Sequence, residues 1–239
     1  GLDLSDASCV FTMSGSSAQN ITHAGMSSNN NTVTLVSQDF TSASTGNVTT
    51  TSSTSNFYQI VSASSSEVWE IRSSSTSDNG TCSACSGNRA RIDEGTHGNT
   101  QDNTFVTKQF SPSTTTLNIS FDWSQYIYGG QYFEVYLYNE SDGAQVGSDL
   151  VYSSSTAHNQ AYSAAISLSG NNSTDDNYSL RFHFYGDYDY GAQFDNVLIT
   201  EDVTSAGNQF RNLTINNPAG MVLGSDVNLE GTLNLASGS

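Results

Sequence analysis

Apolar and polar side chains alternate along the middle of this chain. Nowhere do apolar positions repeat at the 3.6-residue spacing of a helix for more than about ten residues. The clearest alternating stretches are Leu117 to Trp123, Tyr132 to Tyr138, Ala161 to Leu168, Tyr178 to Tyr185 and Phe194 to Thr200. Within Tyr132 to Tyr138, Phe133, Val135 and Leu137 fall on one face and Tyr132, Glu134, Tyr136 and Tyr138 on the other, because successive strand side chains point to opposite sides. One dry face and one wet face predict a sandwich of two antiparallel sheets. Residues 41–56 and 72–104 carry few apolar side chains and read as long surface loops.

The two ends have a different texture. From Asn208 to Ser239 short apolar pairs stand two residues apart, at Leu213 and Ile215, Met221 and Leu223, Val227 and Leu229, and Leu233 and Leu235, with turn residues between them. That rhythm suits a β-solenoid, in which each short strand is one side of a coil and the turns are its corners; a pair of hairpins is the plainer alternative. Gly1 to Asn31 repeats the texture with Leu2 and Leu4, then Phe11 and Met13. Were Ser239 followed by another Gly1, Leu233 and Leu235 would lead to Leu2 and Leu4 after eight residues without a break. The chain therefore reads as all-β, with a sandwich over 32–202 inserted between short β-solenoid-like segments at 1–31 and 203–239. Coils this few leave open strand edges, which a second copy would cover.

Charge narrows the partners. Six Lys and Arg against 23 Asp and Glu give a net charge of −17, which removes the cationic surface that nucleic acid or an anionic membrane requires. No run of about 18 apolar residues is present to insert into a bilayer. Gly1 follows no basic and apolar leader, so the chain reads as processed or as a piece of something longer. Three cysteines, Cys9, Cys82 and Cys85, are too few for a disulfide scaffold or a four-thiolate zinc site. Cys82 and Cys85 read as a small closed loop formed in an oxidising exterior; Cys9 is buried or links copies. Tyr126, Tyr128, Tyr185, Tyr188 and Tyr190 gather around turns beside Asp187 and Asp189. Aromatic faces with nearby carboxylates can hold sugar rings, although tyrosine also suits the wet face of any sheet. The four histidines are scattered, the acids form no identifiable glycosidase pair, and no nucleophile elbow occurs, so the chain is read as non-enzymatic.

The segment Phe210-Arg-Asn-Leu-Thr-Ile-Asn-Asn-Pro-Ala-Gly, continuing through Val222-Leu-Gly-Ser-Asp-Val to Gly231-Thr-Leu-Asn-Leu, resembles a repeat of very long secreted bacterial surface proteins. Phe11-Thr-Met-Ser-Gly-Ser-Ser-Ala-Gln-Asn-Ile-Thr resembles the segment that usually precedes it. The middle zone is similar to the jelly-roll modules of secreted bacterial proteins related to MAM-like, adhesin and carbohydrate-binding domains. The similarity lies in Ser37-Gln-Asp-Phe, Trp69, Asn118-Ile-Ser-Phe-Asp-Trp123 and Gly191-Ala-Gln-Phe-Asp-Asn-Val-Leu-Ile199. It implies a structural Ca²⁺ between the first and last strands, held by Asp39 and Asp195, though Thr41 stands where such modules often have Glu; calcium's six to eight oxygens call for a further carboxylate, which Asp93 or Glu94 after Arg91 could supply. Asp195, in register with Val197 and Ile199, is expected to face inward, satisfied by a metal, by hydrogen bonds to loop amides or by a salt bridge to an arginine. Pattern and resemblance together predict an extracellular or cell-surface protein, a structural subunit or repeat of a filament or giant adhesin. Its copies would stack head to tail through Leu2, Leu4, Leu233 and Leu235, either as tandem repeats or as separate subunits. A carbohydrate-binding or adhesive module is the alternative, with glycans as partners, and an extracellular hydrolase a weaker third reading.

Overall fold

The computed structural model describes residues 11–14, 19–20, 29–50, 57–63, 65, 67–73, 81–93, 100–126, 129–155, 157–187 and 190–205, and the short strands within 209–237. The chain divides into two compact units, Thr32–Asp202 and a second formed jointly by Gly1–Asn31 and Val203–Ser239. In chain order the strands are β1 (Phe11–Ser14), β2 (Gln19–Asn20), β3 (Asn29–Gln38), β4 (Gly46–Asn47), β5 (Tyr58–Val61), β6 (Glu70–Arg72) and β7 (Arg89–Ile92). They continue as β8 (Thr100–Val106), β9 (Thr116–Gln125), β10 (Tyr132–Asn139), β11 (Ala144–Gln145), β12 (Val151–Ser153), β13 (His158–Ser167), β14 (Tyr178–Asp187) and β15 (Ala192–Ser205). The last are β16 (Gln209–Phe210), β17 (Leu213–Asn216), β18 (Met221–Val222), β19 (Asn228–Leu229) and β20 (Leu233–Ser237).

The larger unit is a jelly-roll β-sandwich. One sheet runs β11-β10-β14-β8-β5, with β12 also on β10; the other runs β13-β9-β15-β7-β6-β4, with β3 also on β15. The inner faces meet through aromatic rings. Phe182 of β14 lies flat on Phe194 of β15, with centroids 3.7 Å apart and planes 3° apart. Phe40, Trp69 and Phe105 meet Phe194 edge-on at 5.7, 5.3 and 5.0 Å. Phe40 holds a positive φ of 53°, a costly backbone for a bulky residue; its fully buried ring, set against Phe57, Phe105 and Phe194, holds it there.

Two expectations are corrected. The stretch 72–104 is not one long loop, because β7 and most of β8 lie within it. β8 pairs with both β14 and β5 inside its sheet. Its inward positions include Gln101 and Asn103, both buried, so the alternation is hidden by polar residues. The Asn103 amide donates to Ser65 Oγ at 2.6 Å and to the Glu67 carbonyl. Gln59 likewise donates to the Val48 carbonyl at 2.6 Å and accepts from the Trp69 amide at 2.9 Å; buried amides that are bonded in this way cost little.

The second correction concerns Asp195. Phe194 pairs with Trp123 and Asp195 with Asp122, after which the register slips before Leu198 resumes opposite Ser120. Asn196 sits at the slip with φ of 54°, a conformation asparagine tolerates better than most residues. This bulge changes the phase of the strand. Asp195 therefore points away from the aromatic core, to the same side as Asp122, and is buried there by the segment carrying Cys82 and Cys85.

In the other unit the described strands pair in parallel. Phe11↔Leu213 and Leu213↔Leu233 set the order β1-β17-β20. Gln19 meets Met221, and Gln209 meets Asn228. Gln19 follows Phe11 by eight residues, and Met221 follows Leu213 by the same eight. Residues from opposite ends of the chain thus stay in step across two successive strand pairs. Leu2 and Leu4 lie outside the described residues, whereas Leu233 and Leu235 belong to β20, opposite Leu213 and Ile215.

Candidate functional site

The six-stranded sheet turns its second face to solvent, and the alternation of β10 determines what stands there. Tyr132 pairs across strands with Tyr185, and Tyr185 with Asp102. Glu134 is opposite both Tyr152 and His183, while Tyr136 is opposite Arg181. Three tyrosines from β12, β10 and β14 consequently form one row. Tyr152 and Tyr132 stack at 5.7 Å with planes 26° apart, and Tyr132 and Tyr185 at 5.3 Å and 19°. Tyr152, at one end of the row, is 59% exposed.

Beside the row, His183 Nδ1 lies 2.8 Å from Glu134 Oε1 and its Nε2 2.9 Å from Asp102 Oδ1. Both ring nitrogens face a carboxylate, an arrangement that favours the doubly protonated ring, in which each nitrogen donates. Burial disfavours the charge on this ring, but the two carboxylates outweigh it and hold the imidazole above the ordinary histidine range. Tyr132 meets the same ring edge-on at 5.5 Å. Further along, the Arg181 guanidinium lies 3.3 Å from the centre of the Tyr138 ring and 3.0 Å from Glu140. The face therefore presents aromatic rings, carboxylate acceptors and fixed cations within a few residues of one another.

Where the two sheets end side by side, a groove of about 280 Å³ lies between β12 and β13. Trp123, Leu150, Val151, Tyr152, His158, Gln160, Ala161 and Tyr162 line it. Tyr152 belongs to both features, so the tyrosine row runs up to the groove.

The expected tyrosine cluster separates. Tyr126 and Tyr190 meet edge-on at 4.7 Å, while Tyr185 lies on the solvent face of the other sheet, in the row with Tyr132 and Tyr152. Tyr128 and Tyr188 are outside the described residues. Tyr132, Tyr152, Glu134, His183 and Asp102 were not singled out from the sequence. The alternating Tyr and Glu of β10 was the available signal, but its partners come from strands far away along the chain.

Of the expected calcium ligands, Asp39 lies near enough to Asp195 for their charges to interact, and the others are placed as follows. Asp195 Oδ2 accepts the Ser86 amide at 3.0 Å and Oδ1 its neighbour's amide, from Asn196, at 2.8 Å. Asp39 is exposed and accepts the Thr41 amide at 3.1 Å. Asp93 pairs with Arg91 at 2.8 Å, and the β7–β15 register sets it four residues, roughly 13 Å, along the strand from the position facing Asp195. Glu94 lies outside the described residues. Among the described residues no three carboxylate, histidine or cysteine side chains converge as a metal set. The Asp195 carboxyl is instead part of a clamp. Cys82 and Cys85 form a disulfide, and the loop it closes is held by Asp195 through Ser86, by Asn196 Nδ2 donating to the Ala84 carbonyl at 3.2 Å, and by Asn159 accepting the Ser83 amide at 3.0 Å.

Fold and site together define an all-β jelly-roll sandwich whose chemistry lies on one open sheet face and one open edge. No protein-family model and no curated protein matches the chain. Its structural neighbours include adhesin domains, carbohydrate-binding modules, a bacteriophage tailspike domain and cyclases. The K1 adhesin domain of Lys-gingipain from Porphyromonas gingivalis W83 is 13% identical over 74% of this chain and 99% of its own, with a TM-score of 0.48. The K3 adhesin domain of the same protein is 15% identical over 71% and 99%, with a TM-score of 0.47. The family 11 carbohydrate-binding module of the cellulosomal cellulase Lic26A-Cel5E of Clostridium thermocellum is 15% identical over 68% and 97%, with a TM-score of 0.34.

Proposed function

We propose that this chain is a carbohydrate-binding, adhesive module of an extracellular protein. The observation that carries the reading is the Tyr152–Tyr132–Tyr185 row beside Asp102, Glu134 and His183. Sugar rings offer C–H faces to aromatic side chains and hydroxyls to carboxylates, and both are present on one sheet face. An oxidising exterior is supported by the Cys82–Cys85 disulfide. On a glycan array the 239-residue chain should bind saturably. Tyr132→Ala and Tyr185→Ala should each weaken the best ligand about tenfold, the ~1.4 kcal/mol that one ring contact is worth. An array without a single saturable ligand would overturn the reading.

A second reading, as a structural subunit or repeat, is favoured by a separate observation: the in-register parallel pairing of β1 with β17 and of β17 with β20. We read these strands as short coils. Among the described residues β1 and β20 each pair along one side only, and a further copy would continue the ladder head to tail. Sedimentation should then show mass growing with concentration, and Leu235→Pro, which removes a backbone donor in β20, should abolish that growth. A dispersed monomer at high concentration would retire this reading and leave the first untouched.

A further inference from the structure

The geometry points to the groove between β12 and β13 as the seat of a single uncharged hexopyranose ring, an inference that rests on the carbohydrate-binding reading and names the sugar class and the place. Four observations carry it. The groove holds about 280 Å³, just below the range of about 300–1,000 Å³ usual for small-molecule sites, so it takes one ring rather than a folded chain. None of its eight lining residues is Asp, Glu, Lys or Arg, in a chain whose net charge is −17. An anionic sugar would find no lysine or arginine in the groove and a repulsive field around it; a neutral one meets neither penalty.

The walls supply both kinds of contact that a pyranose needs. Tyr152, the exposed end of the tyrosine row, and Tyr162, which stacks on Phe121 at 4.9 Å, provide aromatic surface. Gln160 and His158 provide hydroxyl partners, and their facing atoms Nε2 and Nδ1 stand 3.5 Å apart, too long for a strong bond between them. Finally, Trp123 is buried, packs against His158 at 4.9 Å, and its Nε1–H has no acceptor among the described residues. A buried donor without a partner is unfavourable. A sugar hydroxyl entering the groove would supply the acceptor.

The chain contains two tryptophans, and Trp69 already donates its Nε1–H to the Asn103 carbonyl at 3.1 Å. The test is therefore a two-peak experiment. In ¹H–¹⁵N spectra of the 239-residue chain, methyl glycosides of glucose, galactose and mannose are titrated to high millimolar concentration, with methyl glucuronide as the acidic control. At least one neutral glycoside should shift the indole peak that Trp123→Phe removes, with saturation, while the Trp69 peak stays still and the glucuronide binds at least fivefold more weakly. Gln160→Leu, on a half-open edge strand and outside the core, should weaken the neutral glycoside fivefold or more. Array glycans that depend on Tyr185 while the Trp123 indole never moves, or equal response to the glucuronide, would overturn the groove inference and leave the sheet-face reading standing. No response to any glycan in either experiment would overturn both.

Discussion

Phe194→Ala should lower the melting temperature of the sandwich more than any other single truncation considered for this chain. Phe194 is fully buried and touches four other rings, Phe182 flat and Phe40, Trp69 and Phe105 edge-on. It is also the point at which the two sheets meet, so its removal opens a cavity that neither sheet can close alone. A buried Phe→Ala change costs about 3–5 kcal/mol, which for a domain of this size is roughly 6–20 °C in Tm. Leu198→Ala is the internal control. Leu198 lies on the same strand beyond the bulge and is 40% exposed, so its truncation should change stability by less than about 0.5 kcal/mol. Calorimetry of the two variants checks the pair. Comparable melting of both would mean that the aromatic stack is not the core that couples the sheets.

The same strand shows what could be read from the chain and what could not. Alternation alone predicts β9, β10, β13, β14 and β15 within a few residues of their observed bounds, because their inward positions are apolar and their outward ones polar. It fails for β8, where Gln101 and Asn103 face inward and Asn103 finds its partners in residues as distant as Ser65 and Glu67. Pattern reading assigns such a strand to a loop, since no local rule says that a buried amide will be bonded. It fails again at Asp195, because a bulge moves every later side chain to the other face and nothing in Phe194-Asp-Asn-Val announces the extra residue. The functional face follows the same logic. Tyr132 and Glu134 were visible as one wet strand face, but Tyr152, His183 and Asp102 reach them through pairings with β12, β14 and β8. A row assembled from three strands has no signature along the chain. Tyr185 was picked out for its place in a tyrosine-rich turn and belongs to the row for a different reason, its register opposite Tyr132.

The second large effect expected is a pH-dependent gain of stability in Asp195→Asn. Asp195 is fully buried. Burial pushes its carboxyl up to about 6, against the pull of the Ser86 and Asn196 amides and the Arg89 charge, while Asp39 adds to the rise. In the unfolded chain the same group titrates near the ordinary aspartate value. A carboxyl whose folded pKa is raised binds more protons in the folded state. Its contribution to stability is therefore fully present below the unfolded value and is lost as pH rises through the folded one. At neutral pH both states are ionised and the folded state carries a buried charge, a cost of roughly 2–3 kcal/mol for a shift of this size. Asparagine cannot ionise and its Oδ1 keeps one acceptor for the Ser86 or Asn196 amide, so it loses one hydrogen bond, about 1 kcal/mol, at every pH. The variant should consequently be the less stable protein at pH 4 and the equal or more stable one at pH 7, with the difference changing sign between about pH 4 and 6. Urea melts of both proteins at half-unit pH steps give that difference directly. A constant difference across the range would show that Asp195 does not titrate where its burial beneath the Cys82–Cys85 loop requires. The loop itself offers the cross-check: with the disulfide reduced the segment over Asp195 loosens, water reaches the carboxylate, and the pH dependence of the difference should flatten.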